Sequence, residues 1–237
     1  MKVLVAIIFS CFIGGFSFAQ LGSVYNRTSI GAKYAVTKKW SIAAEGQVRW
    51  NLTEKTYSKS LLTIESKYGI TKSIKVGLLY RNSWQTNDFA LIDGKEQLTA
   101  QRIALGFQME PSEWFKIDKL LGIQLTSRIQ FESFKFKRDQ WYWRNRLSLK
   151  PQMKSKVFKP FVSGELFYRP NQYYFLTGDE FVTEGLMNEI RYTLGTELEL
   201  NSTNNITVGI MITDYRTARN TDLVLNLSFV HLFGKKK

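Results

Sequence analysis

Ser41-Ile42-Ala43-Ala44-Glu45-Gly46-Gln47-Val48-Arg49-Trp50 sorts its side chains by parity. Ile42, Ala44, Gly46, Val48 and Trp50 share one face, and Ser41, Ala43, Glu45, Gln47 and Arg49 the other. A period of two is that of a β-strand, and a strand whose faces differ this sharply touches two different media.

The same division recurs along the chain. In 73–85, Ile74, Val76, Leu78, Tyr80 and Trp84 oppose Lys75, Gly77, Arg81 and Ser83. In 120–132, Leu121, Ile123, Leu125, Ile129 and Phe131 oppose Gln124, Thr126, Arg128, Gln130 and Glu132. In 189–200, Ile190, Tyr192, Leu194, Leu198 and Leu200 oppose Glu189, Arg191, Thr193, Glu197 and Glu199. Near the end, Leu223, Leu225, Leu227, Phe229 and Phe233 oppose Asn226 and Ser228. Eleven strands are predicted, at roughly 28–37, 40–51, 58–70, 73–85, 97–109, 119–132, 140–152, 158–169, 186–199, 204–216 and 221–233. Many exceed ten residues, whereas strands of soluble sandwiches usually run five or six and a tilted membrane strand needs about nine to eleven.

The connections alternate as well. Short turns are expected near Lys38-Lys39, Thr71-Lys72, 154–156 and 202–204, and longer polar loops at 52–57, 86–96, 133–139 and 170–185. Segment 110–118 breaks the rule and is expected to lie along the membrane surface. Trp50, Trp84, Trp141 and Trp143 fall on apolar faces at the long-loop ends; Trp40, Tyr68, Phe158 and Phe233 fall at the short-turn ends. Two belts of amphipathic rings are what a bilayer's two interfaces favour.

The N-terminus fits export. Lys2 precedes an apolar run from Val3 to Phe18 that ends in Ser17-Phe18-Ala19, which predicts a signal peptide over 1–19, cleaved after Ala19, and a barrel domain over 20–237. Phe9 is too large for a lipobox ahead of Cys11. Beyond the leader no stretch is long and apolar enough for a membrane helix, so a membrane location requires a closed barrel, in which strands satisfy one another's backbone groups.

The fold class expected is therefore all-β: a transmembrane, antiparallel, up-and-down barrel in a Gram-negative outer membrane. Single-chain bacterial barrels usually have even strand numbers, and eleven is odd. Residues 21–27 supply a short twelfth strand, or one strand is misread and the number is ten; twelve is the expectation.

Composition narrows the chemistry. Cys11 is the only cysteine and lies in the leader, so the processed chain has no disulfide, thiolate ligand or cysteine nucleophile. His231 is the only histidine, which removes a His-rich zinc site. Net charge is +13 with a pI near 9.7, without any nucleic-acid-binding signature. After export the available anions are lipid phosphates and anionic sugars. The partners expected are outer-membrane lipids and lipopolysaccharide, and the barrel-insertion machinery, which would read Phe229 and Phe233 in the last strand; no nucleic acid and no cofactor is expected.

Ala35-Val36-Thr37-Lys38-Lys39-Trp40-Ser41-Ile42, followed by Glu45 and Arg49, resembles the opening hairpin of the domain-of-unknown-function 2490 family. Arg102 with Gly106, and Tyr142-Trp143-Arg144-Asn145-Arg146-Leu147 before Pro160-Phe161, resemble its later strands. The resemblance implies an outer-membrane barrel and carries no activity or catalytic residues to transfer.

The polar faces are expected to line a lumen, bringing together Glu45, Arg49, Glu65, Lys67, Lys75, Arg81, Arg102, Arg128, Glu132, Arg144, Arg146, Lys150, Glu165, Arg169, Glu189, Arg191, Glu197 and Glu199. Such a set either neutralises itself and fills the barrel or forms charged rings that select solutes. Arg144, Arg146 and Lys150 share a face that suits carboxylate or phosphate, unless glutamates of adjacent strands take them. A serine-histidine catalytic site is not expected, because parity places His231 on the lipid side and Ser228 on the lumen side. Asp88, Asp93, Asp179 and Glu180 sit in expected loops without a twelve-residue calcium pattern, so no metal is expected. The functions that follow are a narrow pore or transport component for small solutes, a non-conducting barrel that supports the envelope or docks a partner, and, third, a lipid-modifying enzyme.

Overall fold

The computed structural model describes residues 21–86, 97–111, 121–134, 139–153, 157–176, 179–215 and 220–234; the segment expected to be a leader and Lys235–Lys237 lie outside them. The described residues form one closed barrel of eleven strands. In chain order these are β1 (Leu21–Ala35), β2 (Trp40–Asn51), β3 (Thr56–Gly69), β4 (Ile74–Thr86), β5 (Gln97–Met109), β6 (Leu121–Phe134), β7 (Gln140–Pro151), β8 (Phe158–Leu176), β9 (Asp179–Glu199), β10 (Asn204–Tyr215) and β11 (Asn220–Phe233). Each strand pairs antiparallel with the next, and β1 closes on β11 in parallel from Val24↔Leu223 to Tyr34↔Phe233. Parity forces this seam: with an odd number of alternating strands the first and last run the same way.

The count thus falls between ten and twelve. Residues 21–27 are not a separate strand but the first half of β1, continuous with the segment expected from 28. The expected loop at 170–185 is also replaced. There the backbones of β8 and β9 stay paired from Asn171↔Glu184 to Leu176↔Asp179, beyond the last pairs either makes with β7 or β10. The stretch Tyr173-Tyr174-Phe175 and Phe181-Val182 is rich in strand-forming aromatic and β-branched residues, and that propensity carries the ladder outward. Of the expected surface segment 110–118, Glu110 donates its backbone N–H to Ser73 at 2.8 Å, and 112–120 lie outside the described residues.

Alternation decides which face is which. In β5, Ile103 and Leu105 are 52% and 65% exposed on the outer wall, while Ala104 between them is 2% exposed inside. The outer wall also presents Ile30, Leu62, Ile64, Leu78, Ile129, Ile210 and Leu227, an apolar band that a closed barrel can expose only to lipid. Trp40, Trp50, Tyr68, Trp141, Trp143 and Phe233 are exposed on it, and Trp84 is half-exposed. Outer-face serines satisfy two of the indoles: Trp40 Nε1 donates to Ser66 Oγ at 2.9 Å and Trp143 Nε1 to Ser127 Oγ at 2.8 Å.

The turns at one end share a device. Thr37, Thr71 and Asn201 each accept through the side-chain oxygen from a backbone N–H three residues on, at Trp40 (3.0 Å), Ile74 (3.0 Å) and Asn204 (2.8 Å). Each begins a strand reversal that needs no long loop. At the other end, Asn51 Oδ1 accepts from Thr53 and Glu54, and Lys55 adopts a positive φ of 56° to close the β2–β3 turn. Inside, Gly195 faces Gly209 across β9–β10, and Phe161 fills the space; a Cβ on Gly195 would lie 2.8 Å from the Phe161 ring.

Candidate functional site in the barrel lumen

The inward faces carry many charges and few apolar groups. Polar side chains buried in a lumen need partners, and the strand stagger supplies several. Glu165 on β8 accepts from Arg144 Nε on β7 at 2.5 Å, and its other oxygen lies 3.9 Å from Arg191 on β9, which also pairs with Glu189. Phe167, 4% exposed, lies under both guanidiniums, 5.1 Å from Arg144 and 4.3 Å from Arg191, where its ring face attracts cations. Arg102 bridges Glu132 at 2.7 Å and the fully buried Gln130 at 3.0 Å. Arg169 donates to Tyr142 Oη at 2.9 Å, and Tyr142 donates to Gln140.

One pair has a different geometry. Arg128 on β6 bonds Glu65 on β3 at 2.7 Å, although β4 and β5 separate those strands in the sheet. It is a chord across the lumen. Glu65 also holds Lys67 at 3.0 Å. Around this waist the inward side chains of Ser29, Gln47, Leu61, Leu79, Met211, Thr213 and Val224 are buried.

Cavities lie on either side of that layer. Toward the Thr37–Thr71 end, a cavity of about 260 Å³ is lined by Lys67, Arg128, Arg144, Arg146, Lys150, Gln124, Glu165 and Glu197, among others. Through Lys67 and Gln108 it adjoins a mouth of about 410 Å³ whose lining includes Lys33, Lys38, Lys39, Lys72 and Lys75 and no carboxylate. Toward the opposite end, a third cavity of about 270 Å³ shares no lining residue with either.

Cations exceed carboxylates in this interior. Arg27, Arg49, Lys59, Arg81, Arg146 and Lys150 have no ion pair among the described residues. Arg81 donates to Thr63 at 2.9 Å and Arg146 to Ser163 at 3.3 Å. Register even sets like charges opposite one another: Arg27↔Arg49, Arg81↔Arg102 and Arg128↔Arg144. Opposed like charges cost stability, so each of these pairs carries an electrostatic penalty in the fold.

The expected lumen residues are distributed as follows. Glu65 with Arg128, Arg102 with Glu132, and Arg144, Glu165, Arg191 and Glu189 together form three ion-paired groups. Lys75 pairs with Glu110, Glu199 with Lys159, and Glu197 accepts from Asn205 Nδ2 at 3.0 Å. Glu45 stands beside Thr63 on the inner wall. Of the cluster Arg144, Arg146 and Lys150, only Arg144 is ion-paired with a glutamate among the described residues, although Arg146 stands opposite the same Glu165. Sequence reading missed Arg27, which precedes the strand expected from 28, and missed Lys33, Lys59, Tyr142 and Phe167 within expected strands. Arg27 and Lys33 share the parity of Ser29 and Gly31, and that signal was present in the chain. Asp88 and Asp93 lie outside the described residues, and Asp179 and Glu180 belong to β9.

His231 sits at the Thr203 end of β11, its Nδ1 2.7 Å from Asn204 Oδ1 and its ring 4.2 Å from that of Phe233. Ser228 shares a hydrogen bond with Ser29 at 2.8 Å across the parallel seam.

A closed wall with apolar exterior, aromatic belts and charged interior defines a transmembrane β-barrel. Within that class, this chain belongs to the family described as "Protein of unknown function (DUF2490)", which matches residues 27–223. Among solved structures, it is similar to the translocator domain of the autotransporter NalP from Neisseria meningitidis, with 12% identity, a TM-score of 0.40, and coverage of 76% of this chain and 70% of that one. No curated protein matches it.

Proposed function

We propose that this protein is an exported outer-membrane barrel that handles small anionic solutes, as a narrow transport component whose waist is closed by side chains at rest. The observation that carries the reading is the cation surplus in cavities on both sides of the waist. Positive walls of low dielectric concentrate anions and repel cations. In this reading the Thr37–Thr71 turns face the periplasm and the β8–β9 ribbon faces outward, following the usual placement of short turns. The lipid-facing wall would meet lipopolysaccharide and phospholipid, and the last strand would engage the insertion machinery. The protein is not read as an enzyme: His231 is engaged by Asn204, and Ser228 by Ser29.

The Arg128–Glu65 chord favours a second reading, a non-conducting barrel that stabilises the envelope. Planar-bilayer recording of the purified chain under a potassium chloride gradient separates the two. The first reading predicts infrequent, small, anion-preferring steps that become frequent in a Glu65→Ala/Arg128→Ala double variant. Large ohmic steps in the wild type, or cation preference, would contradict it. Silence of both proteins would favour the structural barrel.

A further inference from the structure

We infer that the cavity on the β8–β9 ribbon side of the waist is a binding site for a phosphate group, carried free or on a small organic molecule. It rests on the anion-handling reading but not on passage through the barrel. The cavity holds about 270 Å³, room for a phosphate and a few additional heavy atoms. Arg49 from β2, Lys59 from β3 and Arg191 from β9 converge on it. Among the described residues neither Arg49 nor Lys59 has a carboxylate partner, and Arg49 Nε is buried without a hydrogen-bond partner. A buried guanidinium without a counter-charge is costly, and here it is further opposed by Arg27 directly across the strand pair. That arrangement persists most economically if an anion completes it.

The donor set indicates which anion. Tyr25, Ser58, Thr213 and Tyr215 add hydroxyls and Gln85 an amide around the three cations. A carboxylate offers two oxygens and one charge. Donors arriving from the neighbouring strands β2 and β3 on one side and from β9 on another suit a group with three acceptor oxygens and nearly two charges. The one carboxylate in the lining, Asp222, is already turned to the backbone N–H of Ser23 at 3.0 Å. It leaves the cationic side of the cavity open.

The test is calorimetric titration of the detergent-purified full chain with inorganic phosphate and, separately, glycerol 3-phosphate, with chloride as the reference anion. Both phosphates are expected to bind at least about tenfold more tightly than chloride. Tighter glycerol 3-phosphate than inorganic phosphate would identify an organic phosphate as the ligand, and the reverse the free ion. Arg49→Gln and Lys59→Gln should each weaken phosphate binding about tenfold or more, whereas Lys159→Gln, at a residue that lines none of these cavities and pairs with Glu199, should leave it unchanged. In phosphate-free buffer Arg49→Gln should melt no lower than the wild type, because it removes an uncompensated charge. Phosphate binding no tighter than chloride, or unchanged in both β2 and β3 variants, would overturn the assignment. A conduction failure in the bilayer would leave this binding result intact.

Discussion

Replacing Glu165 with Gln is expected to lower the stability of the folded barrel by about 3–5 kcal/mol, the usual cost of removing one partner from a buried ion pair. Glu165 is the shared acceptor for Arg144 and Arg191, and its side chain is 8% exposed, theirs 17% and 19%. The variant keeps shape and loses charge, so Arg144 loses its one carboxylate among the described residues and Arg191 is left with Glu189 alone, both over Phe167 in a cation-rich interior. Urea unfolding of the refolded barrel in lipid vesicles reads the loss directly. The double variant Glu165→Gln/Arg144→Met should recover much of it, since the stranded charge is removed with its partner. A single variant as stable as the wild type would show that water or ions already screen this waist, and would argue for an open lumen.

The second large effect belongs to the outer wall. Leu105, mid-strand on β5 and 65% exposed, is read as facing hydrocarbon. Leu105→Arg is expected to cost about 2–4 kcal/mol in vesicles, as cations do near the bilayer midplane on lipid-facing barrel positions. On β6, Gln124→Glu places a new charge in the cavity that Lys150 also lines, and should change stability by no more than about 0.5 kcal/mol. The contrast matters more than either value. Equal tolerance at the two sites would mean that the wall does not divide lipid from lumen.

The strand register of this fold was legible because a half-lipid, half-aqueous strand leaves a period-two record, as in Ile42–Trp50 or Leu121–Glu132. The errors fell where that record weakens. Asn26 and Thr28 put polar residues on the outer parity of β1, so the strand was begun late and Arg27 was lost from the lumen set. The β8–β9 ribbon leaves the barrel wall, and beyond Tyr168 nothing obliges its faces to differ. Candidate lumen residues could be named, but not their partners. Glu165 meets Arg191 as its direct cross-strand partner and Arg144 on the diagonal, and Glu65 meets Arg128 across the lumen. Neither relation is written in spacing along the chain. The odd strand number was also invisible locally, since the parallel β1–β11 seam unites segments about two hundred residues apart.

The central claim is that alternate residues of each strand touch lipid and a cation-rich aqueous interior. The only cysteine, Cys11, lies in the expected leader, so the processed chain accepts single-cysteine labels without a competing thiol. A cysteine scan through 99–109 of β5 in vesicles tests the claim most directly, comparing a hydrocarbon-soluble quencher with a negatively charged aqueous thiol reagent. The expected result is a strict two-residue period: 103, 105 and 107 reached from lipid, and 102, 106 and 108 labelled by the anionic reagent faster than by its cationic counterpart. Uniform aqueous labelling at every position would contradict the account.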